Sequence, residues 1–414
     1  MKLRFNANSL VAALALALAA PAAFAQATYS WSGGSTNITD GTALATNWVN
    51  LTGTWDTTTK NFTTDNGTTY IAWSNGGAFS AFVAGFATNA VEYATITNAE
   101  NLSVSSISVA LSRASQSISA KYLNLVGTNK TLELLAGTVI DVRGASPVLA
   151  QEGGALTYGL IMNSSASSLS AQGGNLALTG SSGFTKTGNY GFYIRGNSDA
   201  LTGTVNILHN ANLDGANSAG VVTVQSNFGG SLAGITRFNI SATDMSGNDA
   251  AAGTTNGYGN LTKFFVVRNA TNANQLNDSA MVNLAGSGIF QYTGLSNTET
   301  IGTLRLASAG ILDVSGNGNG GTLSITNGIQ RATTNAQLIV AITAGATNGT
   351  AVNLGTSHGL GTNTLIPWMV DGTKARFGLV DAGNNVGWVT PTSVTGDVST
   401  ITDINANYRI DGQA

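Results

Sequence analysis

Two histidines, His209 and His358, are the only imidazoles in a chain of 414 residues, and cysteine is absent. A histidine-rich metal centre needs more ligands than that, and a thiolate zinc or iron–sulfur site needs cysteine, so both are excluded by count. His358 falls in Gly355-Thr356-Ser357-His358-Gly359, which matches the G-x-S-x-G pattern of a serine nucleophile. That pattern works only on a sharp turn between a strand and a helix. The following Leu360-Gly361-Thr362-Asn363-Thr364 is not a helix pattern, so a corner between strands is expected there. Gly316, Gly318 and Gly321 give G-x-G-x-x-G, the spacing of a dinucleotide site. A pyrophosphate there needs a helix N-terminus next. Thr322-Leu323-Ser324-Ile325 alternates as a strand instead, so no such site is expected.

Asp403, Asn405 and Asn407 imitate the first half of a calcium loop. Positions six and twelve of such a loop are Gly and Glu; here they are Tyr408 and Ala414, and the loop fails. Glycoside hydrolysis needs two carboxylates about 5–9.5 Å apart. Asp141 with Arg143, and Asp199 with Arg195, each place one acid beside one base, which reads as a solvated salt bridge. No catalytic, cofactor-binding or metal-binding residue is assigned.

The elements that would carry any site come from composition and periodicity. The chain has 17 Lys+Arg and 20 Asp+Glu, a net charge of −3, and only 9% charged residues, against about 25% in an ordinary soluble domain. It therefore lacks the basic surface that nucleic acid requires. With 43% hydrophobic residues it is not a disordered polyelectrolyte. Its 52 glycines and 4 prolines suit many strands joined by tight turns.

Met1 to Ala25 reads as a secretory signal peptide. Lys2 and Arg4 precede the apolar run Leu10 to Ala20, and Ala23-Phe24-Ala25 supplies the small residues that place cleavage between Ala25 and Gln26. The run is too short for a membrane anchor. Export across the inner membrane to the cell surface or the medium is expected.

Beyond it, no segment sustains helical periodicity, whereas short alternating runs recur. They include Leu102 to Val109, Tyr122 to Val126, Thr131 to Leu134, Val139 to Val142, Thr204 to Ile207, Leu304 to Leu306, Leu312 to Val314 and Leu323 to Ile325. Leu-Thr-Gly occurs at 178–180 and again at 201–203. Three strands per unit of roughly 19 to 25 residues predicts an all-β solenoid, a parallel β-helix in which each strand pairs with its counterpart one rung away. Tandem sandwiches, which also use short strands, are the alternative. The expected divisions are a signal peptide over 1–25, a cap and irregular rungs over 26–100, β-helix repeats over 101–395 and an incomplete tail over 396–414. Trp31, Trp48, Trp55 and Trp73 crowd the first division, with Phe62, Phe79, Phe82 and Phe86 near them. They predict an aromatic cap over the first rung; a sugar-binding platform is the other reading.

Tyr29-Ser30-Trp31, Gly53-Thr54-Trp55-Asp56, Asn175-Leu176-Ala177-Leu178-Thr179-Gly180, Phe184-Thr185-Lys186-Thr187-Gly188 and Leu201-Thr202-Gly203-Thr204-Val205 resemble bacterial proteins built from autotransporter-associated β-strand repeats. Asn272 to Leu276, Glu299 to Leu304, Ile366-Pro367-Trp368 and Phe377-Gly378-Leu379-Val380 are similar to linking and closing stretches of that family. The resemblance implies a right-handed β-helix of passenger type, outside the outer membrane, with a structural or adhesin role and no catalytic residues. Surface glycans or other copies of the chain are the implied partners, and no cofactor is. Attachment to the membrane would run through a C-terminal barrel or anchor that the sequence does not contain, so a piece of a longer chain is expected. A carbohydrate-active β-helix, a polysaccharide lyase or hydrolase, is the alternative.

Overall fold

The computed structural model describes residues 27–34, 36–43, 51–86, 92–113, 121–144, 158–163, 176–188, 190–209, 221–225, 229–242, 263–267, 275–286, 288–294, 297–316, 321–343, 351–356, 360, 365–371, 377–389, 392–395 and 408–411. The cleavage junction Ala25/Gln26, Trp48, Ser357, His358, Gly318, Asp403, Asn405 and Asn407 lie outside them.

Thirty strands and no helix occur among the described residues. They begin with β1 (Thr28–Trp31), β2 (Thr52–Trp55), β3 (Phe62–Thr63), β4 (Ala78–Phe86), β5 (Glu92–Asn98), β6 (Leu102–Arg113), β7 (Lys121–Val126), β8 (Thr131–Gly144), β9 (Tyr158–Asn163) and β10 (Ala177–Thr179). Next come β11 (Gly183–Thr187), β12 (Gly191–Ile194), β13 (Gly203–His209), β14 (Val221–Gln225), β15 (Ile235–Ala242), β16 (Lys263–Val267), β17 (Met281–Ala285), β18 (Gly288–Gly294), β19 (Thr298–Ile301) and β20 (Thr303–Leu306). The last are β21 (Gly310–Gly316), β22 (Thr322–Ile325), β23 (Ile329–Arg331), β24 (Leu338–Thr343), β25 (Ala351–Asn353), β26 (Leu365–Asp371), β27 (Phe377–Val380), β28 (Val386–Val389), β29 (Thr392–Thr395) and β30 (Tyr408–Asp411).

The chain is all-β and its sheets are mostly parallel. The first sheet runs β23-β20-β17-β15-β13-β11-β8-β6-β4-β1-β3, with β10 also on β8. The second runs β2-β5-β7-β9-β12-β14-β16-β18-β21-β24-β26-β27-β28, and a third holds β19-β22-β25. From β4 to β16 successive strands pass between the first two sheets, except that β10 and β11 both lie in the first. From β17 the order becomes first, second, third sheet, three times over. Among the described strands antiparallel pairing is confined to the ends: β3 on β1, and β27 between β26 and β28.

In a parallel sheet the strand period of two puts equivalent residues of neighbouring strands on one face. One inward column of the first sheet therefore reads Phe79, Ile107, Ile140, Lys186, Ile207, Ile240, Leu284, Leu306, Arg331. In the second sheet Leu123, Leu160, Phe192 and Val222 follow one another in the same way. These aliphatic members belong to one continuous buried core. Each contributes about 1.5–3 kcal/mol when sealed from water.

One expectation is corrected here. Thr131–Leu134 and Val139–Val142 are not separate strands; both lie in β8. Gly137, at φ 81°, permits a left-handed step, and the register against β6 shifts between Val104 and Ser106. What looked like a corner is a bulge, which keeps the strand in its sheet while adding residues. The outer faces are also not uniformly polar. The outward side of the second sheet carries Val221, Ile289 and Ile311, all buried. Strands buried on both sides lose the polar half of their alternation, as in β14 (VVTVQ).

At the N-terminal end, Trp31, Trp55, Trp73, Phe62 and Phe79 share the core. Trp55 stacks on Phe79 at 4.5 Å between centroids and meets Trp73 edge-on at 4.9 Å. Gly53 makes the Trp31 indole fit, because a Cβ at that position would be driven into the ring. Phe82 departs from the expected aromatic group. It stands three residues after Phe79, on the opposite face of β4, and is 52% exposed.

The link from β2 to β3 is pinned by Asp56. Its Oδ1 accepts the amides of Thr58 at 2.8 Å and Thr59 at 2.5 Å, and Oδ2 accepts the Thr59 hydroxyl at 2.9 Å. Partial burial pushes this carboxyl up, but the hydrogen bonds from Thr59 and Thr58 outweigh it and hold the group below its ordinary 3.8. The depressed carboxylate contributes stability that is fully present above 3.8 and is lost as pH falls through its lower folded value. An Asp56→Asn variant should therefore lose stability at neutral pH and show a flatter acid limb. Denaturant midpoints measured on both proteins from neutral pH into that acid range test this, and parallel curves would refute it.

Candidate functional site

The outward face of the first sheet holds the most ordered polar array among the described residues. Register places Thr185, Asn206, Asn239, Asn283, Arg305 and Gln330 in one outward row across β11, β13, β15, β17, β20 and β23. Hydrogen bonds run along it in one direction. Arg305 Nη1 donates to Asn283 Oδ1 at 2.9 Å, and Asn283 Nδ2 donates to Asn239 Oδ1 at 3.4 Å. Asn239 Nδ2 donates to Asn206 Oδ1 at 2.8 Å, and Asn206 Nδ2 donates to Thr185 Oγ1 at 3.3 Å. Every amide gives to the strand before it and receives from the strand after it, so the dipoles align and reinforce one another. Asn239 Oδ1 also accepts Arg237 Nε at 3.0 Å.

The chain returns to this row after 21, 33, 44 and 22 residues. The shortest steps match the repeat length expected from the sequence, and the longer ones carry extra chain between strands without breaking the row. Asn239→Leu removes a donor and a doubly used acceptor at a half-buried position and should cost about 1–2 kcal/mol. Urea midpoints of the two proteins measure this; a loss well below about 0.5 kcal/mol would mean the row is ornamental.

Arg237 and Arg305 are each held at one nitrogen by an asparagine, and their remaining N–H groups have no acceptor among the described residues. Neither has a carboxylate partner among the described residues. No Asp or Glu occurs in β11, β13, β15, β17, β20 or β23. On the same sheet nearer the N-terminal end the charges are paired instead. Arg143 Nε meets Asp141 Oδ2 at 2.7 Å and Arg143 Nη2 meets Oδ1 at 2.8 Å, while the Thr187 hydroxyl gives the carboxylate a third bond, to Oδ1 at 3.1 Å.

A second cluster sits on the outward, buried face of the second sheet. Tyr122 and Tyr193 meet edge-on at 5.9 Å, and Arg195 Nε donates to Gln225 Oε1 at 2.5 Å. Burial pushes both tyrosine hydroxyls up, against the pull of the Arg195 charge. Burial likewise lowers Arg195, which the tyrosines oppose. Asp199 turns elsewhere, receiving the Ser231 hydroxyl and, at 2.9 Å, the Ala233 amide.

The remaining sequence candidates fall as follows. His209 ends β13. Gly355 takes φ 65° after β25, a turn geometry. Gly316 ends β21 and Gly321 precedes β22, with a strand where a dinucleotide site needs a helix. Trp31, Trp55 and Trp73 are at most 2% exposed, so their faces are not open to a sugar ring. The asparagine row has no local signal in the sequence, because its members lie 21 to 44 residues apart in the chain.

These features define an all-β protein of mostly parallel sheets with one amide-rich outer face. No family model, curated protein or solved structure matches the chain.

Proposed function

We propose that the chain is an exported, non-catalytic protein whose strands coil as a right-handed parallel β-helix, with a structural or adhesive role at the bacterial cell surface or after release from it. The observation that carries this reading is the unbroken inward column from Phe79 to Arg331, reached by a chain that visits its sheets in a repeating order. Met1 to Ala25 supports export. The buried Trp31, Trp55 and Trp73 support an aromatic cap over the first turn, and the resemblance to autotransporter-associated β-strand repeats supports the surface setting. In this reading the amide-rich outer face meets glycans or further copies of the chain, and no cofactor takes part.

Expression of the full chain in a bacterial host tests both halves. A mature N-terminus at Gln26 in the exported fraction, and small-angle scattering from an elongated particle, are expected. An uncleaved chain kept inside the cell sinks the export reading, and a near-spherical scattering profile sinks the coil. Depolymerisation of a polysaccharide by the purified chain would replace the role with the carbohydrate-active one.

A further inference from the structure

We infer that the outward face of the first sheet around Arg237 and Arg305 is a docking face for an acidic polysaccharide. This rests on the adhesive reading above and specifies the partner of that face. The argument is charge segregation. The whole chain is net negative, with 20 acidic residues, yet the six strands of this stretch contain none, while β15 and β20 present Arg237 and Arg305 outward.

Both guanidinium groups are held by a neighbour on the same outward face. Asn239 holds Nε of Arg237, and Asn283 holds Nη1 of Arg305. Each fork is thereby pre-set, so less side-chain freedom is lost on binding a carboxylate or sulfate. The two arginines stand two strands and two residues apart in the register, roughly 12 Å at ordinary strand spacings. Thr204 and Met281 flank Arg237 in its row. A hydroxyl on one side and an apolar side chain on the other suit a sugar chain, which offers hydroxyls and C–H faces between its charges. An extended chain with repeated anionic groups can span both forks; a single small anion can engage one.

The test uses the full mature chain and three immobilised polymers: polygalacturonate for carboxylates, chondroitin sulfate for sulfates, and dextran as the neutral control. Salt-sensitive binding to at least one acidic polymer and none to dextran is expected, and the two acidic arms show which anion is preferred. Arg237→Gln with Arg305→Gln should weaken binding by about tenfold or more, whereas Lys60→Gln with Lys130→Gln should leave it within about twofold. Arg237→Gln alone, at an exposed position, should give a partial loss and guards against misfolding of the double variant. Equal binding of the double variant, equal binding to dextran, or equally tight binding of single-stranded DNA overturns the inference. If binding fails while the chain is still exported and elongated, the inference falls alone and the structural role stands.

Discussion

Lys186→Glu is expected to cost more than about 3 kcal/mol and to leave little folded protein. Lys186 is fully buried, and its neighbours in the column are Ile140 below and Ile207 above. Its ammonium is bound by backbone carbonyls: Nζ donates to the Thr187 oxygen at 2.5 Å and to the Gly188 oxygen at 3.0 Å. Gly188, at φ 81°, turns the chain back so that these oxygens point at the end of the lysine side chain. A carboxylate in that place would face two acceptors in a sealed core, with no donor from them. Lys186→Gln keeps a donor and should lose distinctly less. Denaturant unfolding of the three proteins decides the matter; a glutamate variant within about 1 kcal/mol of the parent would show that the column yields to water at this level.

The second large effect is expected at Trp55. Its indole is fully buried, stacked on Phe79 and flanked by Trp73 and Phe62. Trp55→Ala opens a cavity among rings that cannot collapse together, at a cost of about 3–5 kcal/mol. Trp55→Phe is the informative companion. The indole Nε1 is buried with no acceptor among the described residues, so removing that N–H forfeits no hydrogen bond to them, and the loss should fall well below that of alanine. Equal losses in the two variants, measured by calorimetric or denaturant unfolding, would mean that the nitrogen contributes more than the ring contacts do.

Much of the first sheet was legible beforehand because its strands keep a solvated face. In β17, Met281, Val282, Asn283, Leu284 and Ala285 alternate half-buried with buried, as a period of two requires. The second sheet was harder to read. With both sides covered, Val221 is as apolar as Val222, and nothing local says which faces the central core. The bulge in β8 has no distinct mark in the sequence, because a glycine between two alternating runs signals a corner and a left-handed step equally well. Lys186 sits in phase with Phe184 and so belongs to the inward set of β11; its charge argues against a buried place, and only the backbone carbonyls around it account for one. The asparagine row depends on register across circuits of unequal length, which no single stretch of sequence contains.

Unequal circuits also bear on how such a chain can change. Because one step of the row spans 21 residues of chain and another 44, strand pairing in the first sheet does not depend on how much polypeptide is spent between strands. Chain added between two such strands therefore leaves the pairing of the first sheet, and the spacing of guanidinium groups along it, untouched. Natural variation and engineering alike then have a place to add new surface that the framework does not feel.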